Sequence, residues 1–141
     1  MTTKKAISGH CLCGAIKIKV ALVNTNFGAC HCDMCRRWVG GPFLAMDCGT
    51  EVSFEGEENI GVYDSSDWAE RGFCKQCGSN LFYRLKQNQQ TMMPPGLFEP
   101  IADITFDHQV FIEEKPAYYD FANKTQNMTG EECFAAFVPK D

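Results

Sequence analysis

Three thiols fall within six residues in Cys30-His31-Cys32-Asp33-Met34-Cys35, and two arginines, Arg36 and Arg37, follow at once. Side chains alternate along an extended chain, so Cys30 and Cys32 turn their sulfurs to one side. The overlapping Cys-x-x-Cys then curls back as a knuckle that brings Cys35 to the same point. Three soft sulfurs around one point suit zinc, which takes thiolates at about 2.3 Å in a tetrahedral shell. The stretch offers no obvious fourth ligand. His31 lies between two cysteines, so its side chain points away from the metal and reads as a supporting or packing residue.

Four more cysteines sit in two short motifs, Cys11-Leu12-Cys13-Gly14 and Cys74-Lys75-Gln76-Cys77-Gly78. Two groupings are open. A ribbon-like pairing of Cys32 and Cys35 with Cys74 and Cys77 would span 38 residues, beyond the roughly 15–20 usual between such pairs, and would strand Cys30. The preferred grouping joins Cys11 and Cys13 to Cys74 and Cys77, both glycine-followed pairs leading into strands, and leaves Cys30, Cys32 and Cys35 together. Structural zinc is closed by four protein ligands, whereas catalytic zinc keeps a position open. Four plus three therefore predicts two zinc ions per chain, one site of each kind.

The ligand charge narrows the chemistry of the second site. Three thiolates on Zn²⁺ leave a formal charge of −1, so a bound water is acidified less than the pKa of about 7 reached in histidine-ligated sites. A substrate thiol is the better occupant, because it loses its proton on coordination and is itself a soft ligand. A nucleobase deaminase would need His-x-Glu and Pro-Cys-x-x-Cys, but Asp33 stands two residues after His31 and Phe73 precedes Cys74. Iron–sulfur ligation also uses four thiolates, but the regular Cys-x-x-Cys-x-x-Cys run is absent.

The elements that must carry these motifs are short. Ile16, Ile18, Val20 and Leu22 alternate with Lys17, Lys19, Ala21 and Val23 as a strand entered from Cys11–Gly14. Asn24-Thr25-Asn26 turns the chain, and Arg36 to Val39 makes one helical turn that Gly40-Gly41-Pro42 stops. Phe43–Met46, Val52–Phe54, Ile60–Tyr63, Arg71–Phe73, Leu81–Tyr83 and Val110–Ile112 read as strands, and 64–70 as a loop. Met92-Met93 reads as core and loop packing, and beyond Asn123 the signal fades. Without a long amphipathic helix, the pattern predicts a mainly β, single-domain fold of short antiparallel strands pinned by metal.

Composition agrees. The 141 residues are 45% apolar and 22% charged, an ordinary globular balance sized for one domain. Nine cysteines with no secretory signal, an odd number and tight clustering favour metal over disulfides. No run approaches the 18–20 or so apolar residues of a membrane span, so a cytoplasmic protein is expected. The net charge of −5 gives no field that favours nucleic acid. Arg36, Arg37 and Arg71 could grip a substrate carboxylate, although salt bridges are the commoner use. Cys48 and Cys133 stand alone and read as buried small residues.

Gly9-x-Cys11-x-Cys13-Gly14, then Cys30-His31-Cys32-x-x-Cys35-Arg36-Arg37, then Ser65-Ser66 with Arg71-Gly72-Phe73-Cys74-x-x-Cys77-Gly78-Ser79, resemble the glutathione-dependent formaldehyde-activating enzyme family, whose domain also occurs in centromere protein V. His108-x-Val110-Phe111 and Pro116-x-Tyr118-Tyr119 are weaker echoes, so the resemblance runs from about residue 9 to 119. It implies an Mss4-like fold, a structural zinc on Cys11, Cys13, Cys74 and Cys77, and a second zinc on Cys30, Cys32 and Cys35. It also implies carbon–sulfur lyase activity, with glutathione or a similar thiol as the small-molecule partner and formaldehyde as the carbonyl. The centromere relative suggests the alternative, a non-catalytic zinc-built interaction module.

Overall fold

The computed structural model describes residues 4–137. They form two compact units, each assembled from two stretches of chain: residues 4–25 with 46–104, and residues 26–45 with 105–137. The expectation of a mainly β fold is met.

In the first unit, β1 (Lys4–His10), β2 (Lys17–Asn24) and β5 (Val52–Glu55) form an antiparallel sheet in the order β1-β2-β5. The alternation read from the sequence holds along β2, where Ile18 and Val20 are buried between exposed Lys17, Lys19 and Ala21. Four further strands, β6 (Ile60–Tyr63), β7 (Ala69–Cys74), β8 (Asn80–Leu85) and β9 (Thr91–Met93), run as an antiparallel series. Met46 and Asp47, the last residues of β4 (Phe43–Asp47), pair with Met93 and Met92. Ile16, Ile18, Met46, Leu81, Phe82 and Met93 are among the core side chains removed from solvent. Met92-Met93 therefore lies in a strand rather than a loop, and the segment read as a loop at 64–70 yields Ala69 and Glu70 to β7.

In the second unit, β3 (Asn26–Cys30) pairs antiparallel with the start of β4 and parallel with β10 (Thr105–Val110), which pairs parallel with β11 (Gln126–Asn127). Two of these three pairings are parallel, beside the antiparallel pairings found elsewhere in the chain. Helix α1 (Asp33–Val39) is longer than the single turn expected, and Gly40 closes it at φ 84°, a left-handed dihedral that glycine adopts without strain. Val110–Ile112 is not one strand: Phe111 sits at φ 55°, ends β10 and starts a 3-10 turn over Ile112–Glu114. A second helix, α2 (Gly130–Phe137), occupies the region where the sequence signal faded.

Candidate metal centres

The first unit holds Cys11, Cys13, Cys74 and Cys77 with their sulfurs all within 4.8 Å of one another. The two motifs that supply them are built alike. Cys11 N–H donates to the Ile16 carbonyl and Gly14 N–H to the Cys11 carbonyl; Cys74 N–H donates to the Ser79 carbonyl and Gly78 N–H to the Cys74 carbonyl. Gly14 and Gly78 both sit at φ 79°, with open space around the position of a side chain. Glycine is therefore used at both for its backbone freedom rather than for room.

The sulfur geometry fits zinc. Zn–S bonds of about 2.3 Å in a tetrahedron put neighbouring sulfurs about 3.8 Å apart. Cys11 and Cys13 lie 3.7 Å apart, and Cys13 and Cys74 lie 3.8 Å apart. Backbone N–H groups of Ile16 and Gln76 point at Cys11 Sγ and Cys74 Sγ, each at 3.4 Å. The Ser79 hydroxyl joins the motifs by accepting Leu12 N–H at 3.0 Å and lying 3.2 Å from Cys77 Sγ. That hydroxyl, then the Ser79 backbone N–H, holds the Cys77 thiol down to about 5.

The second unit brings Cys30, Cys32 and Cys35 together, again with sulfurs within 4.8 Å of one another. Cys30 ends β3, Cys32 caps α1 with its Sγ accepting Cys35 N–H at 3.3 Å, and Cys35 lies in the first turn of the helix. A thiol occupies the N-cap position that a serine or aspartate oxygen usually fills. Cys32 and Cys35 are buried and Cys30 half-buried. Hydrogen bonding to Cys32, then to Cys35, together with burial pushes the Cys30 thiol far up. Three thiols this close resist ionising together, and a divalent cation is the group that would let them do so. Among the described residues, no fourth Cys, His, Asp or Glu ligand atom joins this group.

His31 is fully buried and belongs to neither ligand set. Its Nδ1 lies 2.7 Å from Tyr119 Oη and its Nε2 lies 2.7 Å from Gln109 Oε1. Burial, the main cause, holds the imidazole below its ordinary value, so it is kept neutral. Burial likewise pushes the Tyr119 hydroxyl up. Alternation along Cys30-His31-Cys32 already turns the His31 side chain away from the sulfurs, whereas its partners are 78 and 88 positions away in the chain. The weak motif at Tyr118-Tyr119 was their only trace.

Both arginines after the cluster serve the fold. Arg36 donates from Nε to the His31 carbonyl at 2.9 Å, and Arg37 pairs with Asp33 at 3.0 Å. Arg71, in the first unit, is buried with its guanidinium over the Tyr83 ring. Lysines are better placed to meet a carboxylate. Lys115 and Lys124 line a cavity of about 580 Å³ in the second unit, together with Gln109, Asn123, Thr125 and Asn127. Asp120, its one acidic side chain, pairs with Lys115 at 2.7 Å.

Cys48 and Cys133 join neither cluster. Burial is the main cause that pushes the Cys48 thiol up to about 12 and the Cys133 thiol up to about 11.

Comparison with known proteins supplies the context. Residues 6–114 match the model of the family described as glutathione-dependent formaldehyde-activating enzyme. The chain is 42% identical over 131 residues to an uncharacterised lyase of Schizosaccharomyces pombe, covering 92% of this chain and 96% of that one. It is 23% identical over 145 residues to a candidate glutathione-dependent formaldehyde-activating enzyme of Halomonas elongata, covering 93% and 88%. A crystal structure of a Rhodobacter sphaeroides protein superposes with a TM-score of 0.58 at 26% identity, covering 69% of this chain and 92% of that one.

Proposed function

The chain belongs to the glutathione-dependent formaldehyde-activating enzyme family, and from that premise we propose that it is a zinc-dependent carbon–sulfur lyase acting on the adduct of a thiol and a small carbonyl. Glutathione and formaldehyde are the leading pair. The observation that carries the reading is the difference between the two cysteine groups: four sulfurs in one, three in the other, with no further ligand atom beside the three.

Cys11, Cys13, Cys74 and Cys77 would hold a closed, structural zinc, and Cys30, Cys32 and Cys35 a second one. Held by Cys30, Cys32 and Cys35, a zinc ion would offer a further position suited to sulfur and would ease loss of the proton from a substrate thiol bound there. The chain's own residues do the rest. β3 and α1 present the three cysteines from one side, while His31, Arg36 and the Val110 carbonyl hold the backbone between them. The cavity lined by Lys115, Lys124, Asn123 and Asn127 matches the acidic, amide-rich body of a peptide thiol better than an apolar one. Its Gln109 wall lies one side chain, His31, away from the cysteine cluster.

Nine free thiols fit a reducing compartment such as the cytoplasm. Among the described residues no helix is long and apolar enough to cross a membrane.

The test uses the full chain loaded with cobalt at both sites. Addition of glutathione is expected to shift the visible bands of one cobalt only, and formaldehyde with glutathione is expected to yield the hydroxymethyl thiol adduct faster than the uncatalysed mixture. Two bound cobalts with no thiol-dependent change and no rate enhancement would sink the lyase reading in favour of the interaction module.

A further inference from the structure

His31 is held at every polar atom. Its backbone N–H donates to the Val110 carbonyl at 3.2 Å, its carbonyl accepts from Arg36 Nε at 2.9 Å, and both ring nitrogens have partners at 2.7 Å. This residue is the single link between Cys30 and Cys32. Where its backbone sits therefore decides where two of the three sulfurs sit.

The direction of the hydrogen bonds follows from the outer end of the chain. Thr125 Oγ1 donates to Asn127 Oδ1 at 2.7 Å, which leaves it to accept from Gln109 Nε2 at 2.8 Å. With its NH₂ group spent on Thr125, Gln109 presents only its oxygen to His31. His31 Nε2 must then carry the ring proton. Tyr119 Oη lies 2.7 Å from Nδ1, on the other side of the ring. Reversing the Gln109 amide would set its NH₂ against His31 Nε2–H and break the bond.

We infer that Gln109 is a positioning residue for the three-cysteine centre: by accepting the proton of His31 Nε2 it locks the Cys30-His31-Cys32 backbone in the arrangement that takes up a metal. The inference rests on the reading of that centre as a metal site. It assigns a role to Gln109, Thr125 and Tyr119, none of which is a candidate ligand. Partners that hold ligands in place from outside typically change metal affinity about 10–100-fold when removed, and the same order is expected here although the held residue lies between ligands.

The experiment is a cobalt titration of the full chain, following the visible absorption and competing the metal against a chelator, with no thiol substrate added. Gln109→Leu removes the acceptor for His31 Nε2–H and is expected to weaken the second cobalt at least tenfold while leaving the first unchanged. Gln109→Glu keeps an acceptor there and should hold the second affinity within about threefold. Thr125→Val, close in shape and half-buried, frees the Gln109 amide to turn; it should loosen the Gln109–His31 bond and weaken the second cobalt by a smaller factor. It also serves if Gln109→Leu does not fold.

Nitrogen-15 spectra of the unsubstituted protein should show His31 protonated at Nε2. An unprotonated Nε2 would overturn the inference, and so would a second-site affinity that neither Gln109→Leu nor Thr125→Val changes. An unsubstituted protein that binds only one cobalt would instead sink the metal-centre reading itself.

Discussion

Cys13 Sγ and Cys74 Sγ, 61 positions apart in the sequence, lie 3.8 Å apart in the fold. That separation is the edge of a zinc–thiolate tetrahedron, and closing so long a loop by metal contributes to folding directly. Structural zinc supplies on the order of 10–16 kcal/mol in small zinc domains, as much as the whole stability of a typical domain. Cys13→Ser is therefore expected to give a chain that lacks one zinc and fails to fold cooperatively. Ser79→Ala should be milder. It removes the acceptor of Leu12 N–H and the partner of Cys77 Sγ, a loss of roughly 1–3 kcal/mol. A lowered midpoint in thermal unfolding with zinc content unchanged is the expected result, and an unaltered midpoint would remove Ser79 from the account.

The two centres should separate under chelation. A three-ligand centre has fewer protein bonds to break and an open side for a competitor, so it should empty first. A chelator such as EDTA is expected to strip one zinc with loss of thiol–carbonyl activity and little change in far-ultraviolet circular dichroism. The other zinc should leave more slowly, together with the β signal. Cys35→Ser should reproduce the first stage alone, giving one zinc per folded chain. Simultaneous loss of both metals would show that the second centre is also needed to hold the fold.

Spacing alone grouped the seven clustered cysteines as the fold does, because each motif is local and a glycine marks the turn after Cys13 and after Cys77. What escaped the sequence depends on distant partners. β3 carries Gly28, where a side chain would run into the His108 ring, so packing against β10 demands glycine. Phe111 and Ile112 continued an apolar run past the point where Phe111 turns left-handed, which composition does not reveal. α2 had a readable signal that went unused. Thr129-Gly130-Glu131-Glu132 is a capping box, with Glu132 N–H donating to Thr129 Oγ1 at 3.1 Å and Thr129 N–H to Glu132 Oε1 at 2.9 Å. The His31–Gln109 bond had no local signature at all.

The cavity in the second unit makes a specificity prediction. Lys124 is exposed at its wall, whereas Lys115 is paired with Asp120. Lys124→Glu should raise KM for glutathione several-fold, on the order expected for an exposed charge contact, and leave kcat close to its original value. A neutral thiol such as 2-mercaptoethanol offers no carboxylate, so its KM should not move. Equal effects on both thiols would mean that the lysine acts on the fold or the centre rather than on the substrate's acid group. Raising ionic strength should shrink the glutathione effect, because exposed charges are screened.

Cys48 carries a prediction about alkaline pH that is independent of either centre. Its side chain is 1% exposed, with Sγ 3.7 Å from the Met46 carbonyl, and burial followed by the neighbouring Asp47 charge pushes the thiol from 9.0 up to about 12. The folded chain therefore keeps a proton that the unfolded chain releases above pH 9. Where the folded state binds more protons, stability falls as pH rises. The contribution is fully present below about pH 9 and is lost progressively between pH 9 and 12. Cys48→Ala removes the titrating group at a cost of roughly 1 kcal/mol near pH 8 for the lost packing. Its urea midpoint should consequently fall less steeply than that of the unsubstituted protein between pH 9 and 10.5. Parallel slopes would show that the thiol is ionised in the fold, in which case Cys48 should also react with iodoacetamide at pH 8 in the zinc-loaded protein, where a thiol held near pH 12 stays inert.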